Sequence, residues 1–211
     1  SMAETSVALV VVDVQCDFCP RGALAVTNGD KVIAPINELL SVASRYQRPV
    51  VATRDWHPRD STHFTTGGGN WPPHCVIDSA GARFHPDLHL PTDVIVVSKG
   101  ISVDADGYSG FEGVDAGGAS LLSILRPRKI DAIVVCGLAT DYCVRATALD
   151  GIQFDLTVVV VSDAIAPVNL TPQAGEQAVQ EMRDAGVRLA DTESAKRFLI
   201  NKSVSGRRSS G

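Results

Sequence analysis

The sequence predicts an α/β fold in which a six-stranded parallel sheet lies between helices on both faces. Short apolar runs alternate along the chain with segments of helical periodicity, which favours strands joined by crossover helices. The length of 211 residues and a hydrophobic content of 45% are enough for one large core. We therefore expect a single domain over residues 7–201.

Six apolar runs are the predicted strands. The first run carries no charge before Asp13 at its carboxyl end, and the third ends in the same way at Lys99. This pattern is typical of strands that are buried on both faces of a parallel sheet. The predicted strands cover residues 7–13, 50–53, 94–99, 132–135, 156–161 and 187–189.

Five segments with a helical pattern accompany these strands. They cover residues 31–46, 119–125, 141–151, 172–185 and 192–200. Between the second and third strands, by contrast, residues 54–93 show little regular pattern. A loop of that length inside a compact domain is usually functional, so we expect it to contribute to a site.

Cys143 directly follows an apolar strand and opens a predicted helix, which is where a nucleophile is commonly placed. Thr140 is the predicted N-cap, so Cys143 falls in the first helical turn. Backbone N–H groups and the helix dipole favour the thiolate there. A cysteine that only packs at the strand–helix junction is the alternative, and for a cysteine on its own it would be preferred.

Asp13 and Lys99 supply what a cysteine nucleophile needs. Ligands of open α/β sheets bind outside the carboxyl ends of the strands, so Asp13, Lys99 and Cys143 can converge on one crevice. A structural ion pair between Asp13 and Lys99 is the alternative. With a thiol at a helix start nearby, a catalytic triad is the better interpretation.

The long loop carries a predicted metal site. Asp55 and His57 point to the same side of an extended chain, and His63 and His74 follow in the same loop. Such ligands suit zinc, iron or manganese. Trp71 and two prolines before His74 favour a preorganised wall over solvent-exposed histidines. One divalent cation is expected, Zn²⁺ before Fe²⁺ or Mn²⁺.

From about Val7 to the last predicted helix, the chain resembles the nicotinamidases (pyrazinamidases) of the isochorismatase-like cysteine hydrolase superfamily. The motifs occur in the family's order throughout. They are Val-Asp13-Val-Gln-x-Asp17-Phe18, Asp55-Trp-His57, Trp71-Pro-Pro-His74-Cys, Lys99-Gly, Tyr108-Ser-Gly-Phe-Glu-Gly and Gly137-Leu-Ala-Thr-Asp-Tyr-Cys143-Val. The resemblance implies the isochorismatase-like, doubly wound three-layer fold.

The resemblance also implies a role for each site residue. It implies a cis peptide between Leu138 and Ala139, and an oxyanion hole formed by the amides of Ala139 and Cys143. The implied catalytic triad is Asp13, Lys99 and Cys143. The implied metal ligands are Asp55, His57 and His74, joined by His63 in the mycobacterial type of site. The implied slot for a pyridine ring is lined by Phe18, Leu24, Trp71, Tyr108 and Ala139.

The activity that the resemblance implies is metal-dependent hydrolysis of nicotinamide to nicotinate and ammonia, and also of pyrazinamide, through a cysteine thioester in NAD salvage. Two residues depart from the family's pattern. Cys16 stands where the family usually has Asn, and Tyr142 where the mycobacterial enzymes have His. Both positions bear on substrate preference rather than on the chemistry.

Three alternatives to this activity agree less well with the sequence. Hydrolases of isochorismate do not need the cysteine, and those of ureido or carbamoyl amides generally lack the Asp-His-His set. A metal-binding module without catalysis would need neither Asp13 nor Lys99. A thioredoxin-like role for Cys16-x-x-Cys19 requires a helix after the first cysteine, whereas Pro20-Arg-Gly follows here and predicts a loop.

Composition limits the classes of partner and the cellular compartment that we expect for this protein. A net charge of -5 without a basic patch gives no reason to expect nucleic acid, and no apolar run approaches the ~20 residues that span a membrane. Five cysteines without a secretory signal predict a reducing, cytoplasmic setting. A small-molecule substrate is expected, and a homo-oligomer is compatible with the sequence. Residues 1–6, which begin with a tag-like Ser1-Met2, and residues 202–211 are predicted tails.

Overall fold

The computed structural model describes residues 6–201. Of the tails predicted at 1–6 and 202–211, residues 1–5 and 202–211 lie outside the described residues, whereas Ser6 is the first residue of a strand and not part of a tail. Six strands form one sheet in the order β3-β2-β1-β4-β5-β6, and every neighbouring pair is parallel. This is a doubly wound order, in which the chain starts in the middle and adds strands on both sides. The strands are Ser6–Val12 (β1), Val50–Asp55 (β2), Ile95–Lys99 (β3), Ile130–Leu138 (β4), Thr157–Ala166 (β5) and Arg188–Ala190 (β6).

Helices cover both faces of the sheet, which confirms the predicted three-layer α/β architecture. Helices α1 and α5 pack on one face, and α2, α3 and α4 pack on the other. A π-helical turn at Thr140–Val144 leads into α3. The helices are Ile33–Arg45 (α1), Leu121–Leu125 (α2), Arg145–Gln153 (α3), Ala174–Asp184 (α4) and Thr192–Asn201 (α5).

The central strand β1 shows why the chain folds in this way. Residues 7–12 are all fully buried, and alternate side chains enter the two opposite apolar layers. Leu9 packs with α1 and α5, whereas Val10 packs with the helices of the other face. Full burial of one such side chain contributes roughly 1.5–3 kcal/mol, so an apolar run without alternation is stable only in this double-sided position.

Strands β4 and β5 extend furthest beyond the predicted ranges, and β2 continues past its predicted end at Thr53 to Asp55. The predictions 132–135 and 156–161 stop where Gly137 and the polar Ser162 interrupt the apolar pattern, but β4 and β5 continue to pair after a register shift between Val135 and Gly137. Gly137 has a φ of 117°, and a Cβ on it would lie 2.1 Å from the carbonyl oxygen of Val12. At Gly137, the backbone of β4 therefore approaches β1 too closely for any side chain.

The loop at residues 56–94 has the irregular structure that the sequence predicted. Within it the only helical segments are the 3-10 turns Thr65–Gly67 and Ala80–Ala82. Isolated bridges join Gln15 to Phe84 and His57 to Val76, so the loop lies against the carboxyl ends of β1 and β2. In the described part of the chain, no helix has both the length and the apolar character needed to cross a membrane.

Candidate active site

Lys99 is the centre of a buried cluster at the carboxyl ends of the strands. Its Nζ donates to Asp13 Oδ2 at 2.7 Å, to Asp55 Oδ1 at 2.5 Å and to the carbonyl oxygen of Gly107 at 2.8 Å. The Sγ of Cys143 lies 3.3 Å from the same nitrogen. The structure thus brings Asp13, Lys99 and Cys143 together, as the topology predicts, and adds Asp55 to them.

Burial and charge give the two carboxylates opposite properties. Although burial alone would raise it, the attraction of the Lys99 ammonium holds the pKa of Asp55 well below its usual range. Burial raises the pKa of Asp13 against the opposing attraction of Lys99. Both carboxylates oppose the effect of burial on Lys99 and keep its pKa well above the ordinary value. Asp55 is thus a permanent anion, whereas Asp13 is suited to exchange a proton.

The start of the helix at Cys143 differs from the prediction. Ala139, not Thr140, is the N-cap of the π-helical turn, and the buried Thr140 hydroxyl makes no hydrogen bond within the described chain. Burial raises the pKa of the Cys143 thiol well above its ordinary value, although Lys99 opposes this. The expected resting thiolate is therefore wrong, because desolvation outweighs the helix terminus. A neutral thiol lies beside Asp13 instead.

Asp13 is held in an unusual backbone conformation. Its φ of 51° is in the left-handed region, which costs a non-glycine residue on the order of 1–2 kcal/mol. The buried Thr53 donates from Oγ1 to Asp13 Oδ1 at 2.8 Å, and its carbonyl oxygen accepts from Asp13 N at 3.1 Å. Thr53 was not predicted as a site residue, and only its polar side chain within an apolar strand signals it.

Three histidines of the long loop form a second buried cluster beside the first. Ring nitrogens of His57, His63 and His74 lie within 4.8 Å of one another. Each ring directs Nδ1 at an oxygen acceptor of the chain, which leaves Nε2 with a lone pair. The acceptors are Gly100 O for His57 at 3.1 Å, Asp106 Oδ1 for His63 at 2.8 Å and Pro72 O for His74 at 2.7 Å.

This cluster fits a divalent cation. His57 Nε2 is buried and has no hydrogen-bond partner in the described chain. Asp55 Oδ2 lies 3.4 Å from that nitrogen and 3.6 Å from Nε2 of His74. A carboxylate and three neutral imidazoles that converge without protons between them form a typical zinc ligand set. Asp13, Asp55 and Cys143 also cluster within 4.8 Å, but the Lys99 ammonium already contacts all three groups.

Two polar residues, the buried Gln15 and the half-buried Asp17, position the ligands, and the sequence predicted no role for either. The side-chain amide of Gln15 donates to Asp55 O and to Ala82 O, each at 2.9 Å, and accepts from Asp55 N at 2.9 Å. Asp17 Oδ2 accepts from the backbone N–H of Cys75 at 2.8 Å, directly after His74. Both belong to the Gln-x-Asp motif, which is the only signal that could have found them.

Gly100 explains the close packing around His57. Its φ is 71°, and a Cβ on it would lie 2.5 Å from Cε1 of the His57 ring. The carbonyl oxygen of the same residue accepts from His57 Nδ1. The glycine therefore lets the backbone approach the imidazole and orient it.

A cavity opens between Cys143 and the histidines, and its walls are largely aromatic and apolar. Trp71 Nε1 donates to the Tyr108 hydroxyl at 3.0 Å, and the Tyr142 ring packs edge-on against Trp71 at 5.1 Å between centroids. The implied cis peptide between Leu138 and Ala139 is present. The lining includes the five predicted residues Phe18, Leu24, Trp71, Tyr108 and Ala139, together with Val26, Leu138, Tyr142 and Val168, which were not predicted.

Known proteins are similar to this chain in sequence and in fold. Residues 7–194 match the model of the Isochorismatase domain. The nicotinamidase/pyrazinamidase of Mycobacterium tuberculosis is 44% identical over 185 residues, which cover 86% of this chain and 97% of that protein.

Solved structures agree with the sequence comparisons. The pyrazinamidase of Pyrococcus horikoshii in complex with zinc superposes with a TM-score of 0.82 at 41% identity, covering 88% of this chain and 99% of that one. A protein of L. infantum in complex with nicotinate gives 0.77 at 37%, covering 90% and 94%. Together with the domain match, these similarities show that the chain belongs to the isochorismatase family.

Proposed function

We propose that this protein is an amidase that hydrolyses nicotinamide to nicotinate and ammonia, and pyrazinamide to pyrazinoate. The observation that carries the proposal is the position of the Cys143 thiol. It lies beside Asp13 and Lys99 at one end of an aromatic slot, and the histidines lie at the other. Relatives named for this activity, and a neighbour solved with nicotinate, support it.

In the first step, Asp13 takes the thiol proton and Cys143 attacks the carboxamide carbon. The raised pKa of Asp13 makes it a stronger base than an ordinary carboxylate, and proton transfer in such a position contributes typically 10²–10⁴-fold to the rate. Lys99 contacts both groups and stabilises the negative charge as it moves from oxygen to sulfur. Attack gives a tetrahedral intermediate with an oxyanion.

The backbone amides of Ala139 and Cys143 form the proposed oxyanion hole. Both residues line the cavity next to the nucleophile. A donor of this kind contributes roughly 3–4 kcal/mol to the transition state in comparable acyl-transfer sites. Asp13 then returns its proton to the departing ammonia, which leaves a thioester on Cys143.

Water hydrolyses the thioester in the second half of the reaction. Asp13 again accepts a proton, this time from the attacking water, and the Cys143 sulfur leaves and recovers it. The carboxylic acid is released and the free enzyme is restored. Over the cycle one water and one amide give one acid and one ammonia.

Asp55, His57, His63 and His74 are the proposed ligands of one divalent cation, with Zn²⁺ favoured by the ligand set and by the zinc-bound neighbour. When bound, the cation supplies a Lewis-acid contact for the ring nitrogen of the substrate, directly or through a water molecule. The chain itself holds the ring between aromatic side chains, so that the amide lies over the sulfur.

Hydrolysis of a ureido or carbamoyl amide is the alternative, because family members with such names are also similar to this chain. Ureidoacrylate is an acyclic anion, whereas Trp71, Tyr108 and Tyr142 bring aromatic rings to the wall of the cavity. A neutral aromatic amide fits this lining better. A role in NAD salvage follows from the proposed product, nicotinate.

Ammonia release from nicotinamide by the purified, metal-loaded protein tests the proposal. Cys143→Ala is expected to abolish release, whereas Cys136→Ala, which changes a buried cysteine of β4 outside the cavity, is expected to retain it. No release by the intact protein would reject nicotinamide as the substrate. Ureidoacrylate and N-carbamoyl amides, assayed in parallel, would then identify the alternative.

A further inference from the structure

Cys16 and Cys19 form a cysteine pair that the proposed hydrolysis does not use. Cys16 is the first residue of the 3-10 turn Cys16–Phe18, and Cys19 directly follows the turn. The N–H of Cys19 donates to the carbonyl oxygen of Cys16 at 3.1 Å. A turn with this i to i+3 bond brings its end Cα atoms within about 7 Å, and disulfides span Cα distances up to about 6.8 Å. The turn therefore places the Cα atoms of the two cysteines at a spacing that a disulfide can span.

The two thiols differ in their access to solvent. Cys16 is half-buried and lines a surface depression together with Arg21, Asp30 and His85. Cys19 is 2% exposed and packs in the apolar layer beneath α1. Burial raises the pKa of Cys19 to about 11. Redox-sensing pairs have the same arrangement, in which an accessible cysteine meets the oxidant and a neighbouring one resolves it.

The residues between the two cysteines reach the catalytic cavity. Phe18 lines the cavity, and its ring centroid lies 5.5 Å from that of His74. Asp17 Oδ2 accepts from Cys75 N at 2.8 Å and so holds the backbone next to His74. A change in this turn is therefore transmitted to the slot wall and to the histidine loop.

We propose that Cys16 and Cys19 are a reversible redox site for hydroperoxide oxidants, and that their disulfide lowers amide turnover. Cys16 sulfur attacks a peroxide oxygen, the O–O bond breaks, and a sulfenic acid and an alcohol or water are formed. Cys19 sulfur then attacks the sulfenic sulfur. The S–S bond forms, the S–O bond breaks, and the hydroxyl leaves with the Cys19 proton as water. The thiol pair loses two electrons, which reduce the peroxide, and a dithiol reverses the change.

The disulfide lowers turnover because it displaces the turn. Cys19 is packed in the core, while the Cys16 sulfur contacts the carbonyl oxygen of Phe84 at 3.9 Å. Joining the sulfurs requires at least one side chain to rotate and shifts Phe18 between them. A displaced Phe18 weakens the hold on the aromatic ring, so KM for the amide rises. This consequence rests on the proposed function, whereas formation of the disulfide does not.

Peptide mapping of the full-length, metal-loaded Cys143→Ala protein tests the redox site independently of activity. The tryptic fragment that ends at Arg21 contains Cys16 and Cys19 and no other cysteine. After hydrogen peroxide and alkylation, this fragment is expected to lose two hydrogens and to escape alkylation until dithiothreitol is added. When Cys16→Ser is added to the Cys143→Ala protein, the fragment is expected to keep both hydrogens. Two freely alkylated thiols, at a peroxide dose that oxidises Cys143 in the wild type, would overturn the proposal.

The effect on turnover is measured as KM for nicotinamide before and after peroxide. Wild type is expected to show an increase in KM that dithiothreitol reverses, and Cys16→Ser is expected to show none. Oxidation of Cys143 affects both proteins equally, so the difference between them reports the pair. Equal losses in the two proteins, with the disulfide mapped in wild type, would refute the coupling to the cavity. Failure of both to hydrolyse nicotinamide before treatment would instead refute the proposed function.

Discussion

Asp13 and Asp55 both contact one ammonium group, yet their surroundings prepare them for different tasks. Lys99 bridges them at 2.7 and 2.5 Å. Of the two carboxylates, only Asp55 contacts His57 and His74, whereas the Cys143 thiol hydrogen-bonds to Asp13. Neighbouring carboxylates whose pKa values are pushed apart commonly divide into a proton carrier and a fixed charge.

Replacing the proton carrier tests this division. Asp13→Asn keeps the size of the side chain and removes the base, so kcat for nicotinamide is expected to fall by about 10²–10⁴ with little change in KM. Asp93→Asn, an exposed aspartate, is the matched control. Steady-state kinetics of both variants check the expectation, and a kcat within a factor of about two of wild type in Asp13→Asn would exclude Asp13 as the base.

Gln15 is predicted to govern metal affinity although it touches no metal. Gln15→Met keeps the volume but leaves the buried N–H and carbonyl oxygen of Asp55 without their side-chain partners, at about 1–3 kcal/mol per group. Loss of such a supporting contact typically weakens metal affinity 10–100-fold. Competition with a chelator measures the affinity, and Gln153→Met at the exposed end of α3 is the control. Equal affinities would show that Gln15 acts only in folding.

At the scale of elements, the extension of β4 shows what local pattern cannot predict. The sequence predicted a strand in the right place, but it ended at Val135, because Gly137 has low strand propensity and the partner segment of β5 is polar. Pairing between β4 and β5 across the register shift is a long-range contact without a periodic signal. The hydrogen bonds of Gln15 and Thr53 join residues 40 positions apart, and they too could not be predicted because no local pattern indicates such contacts.

The close approach of β4 to β1 at Gly137 can be tested by substitution. Gly137→Ala places a Cβ 2.1 Å from Val12 O, at a φ of 117°, so the backbone of β4 or β1 must move. Gly118 has a φ of 88° with open space around its Cβ, and Gly118→Ala isolates the strain of the left-handed conformation, roughly 1–2 kcal/mol. Denaturant unfolding should show a clearly larger loss for Gly137→Ala. Equal losses would mean that β4 relaxes freely away from β1.

At the scale of the whole molecule, topology is the part of the site that the sequence predicts best. Once the runs that end at Asp13 and Lys99 are parallel strands of one sheet, their carboxyl ends must share one edge, and the strand before Cys143 ends there too. The resting state of the thiol was mispredicted because it depends on burial, and burial depends on how the long loop closes over the sheet. A local motif contains no information about that closure.

That loop leads to a prediction about the whole fold. Residues 56–94 contain only two 3-10 turns, and two of the three buried histidines of this loop, His57 and His74, contact Asp55 at the end of β2. A cation bound by these residues only in the folded state stabilises the protein by RT ln(1 + [L]/Kd), about 2.7 kcal/mol at 100 times Kd. Removing it with a chelator is expected to lower both the melting temperature and amidase activity, and Zn²⁺, Mn²⁺ or Fe²⁺ should restore both.

His63→Ala and His89→Ala make this prediction specific to the cluster. His63 is buried beside His57 and His74, whereas His89 is exposed and lies outside the cluster. Calorimetry with and without the chelator should show a smaller metal-dependent shift in melting temperature for His63→Ala and an unchanged shift for His89→Ala. If the chelator leaves the melting temperature of wild type unchanged and elemental analysis finds no bound metal before treatment, the loop closes by its protein contacts alone. The unpaired Nε2 of His57 would then be a buried polar atom that the fold tolerates without compensation.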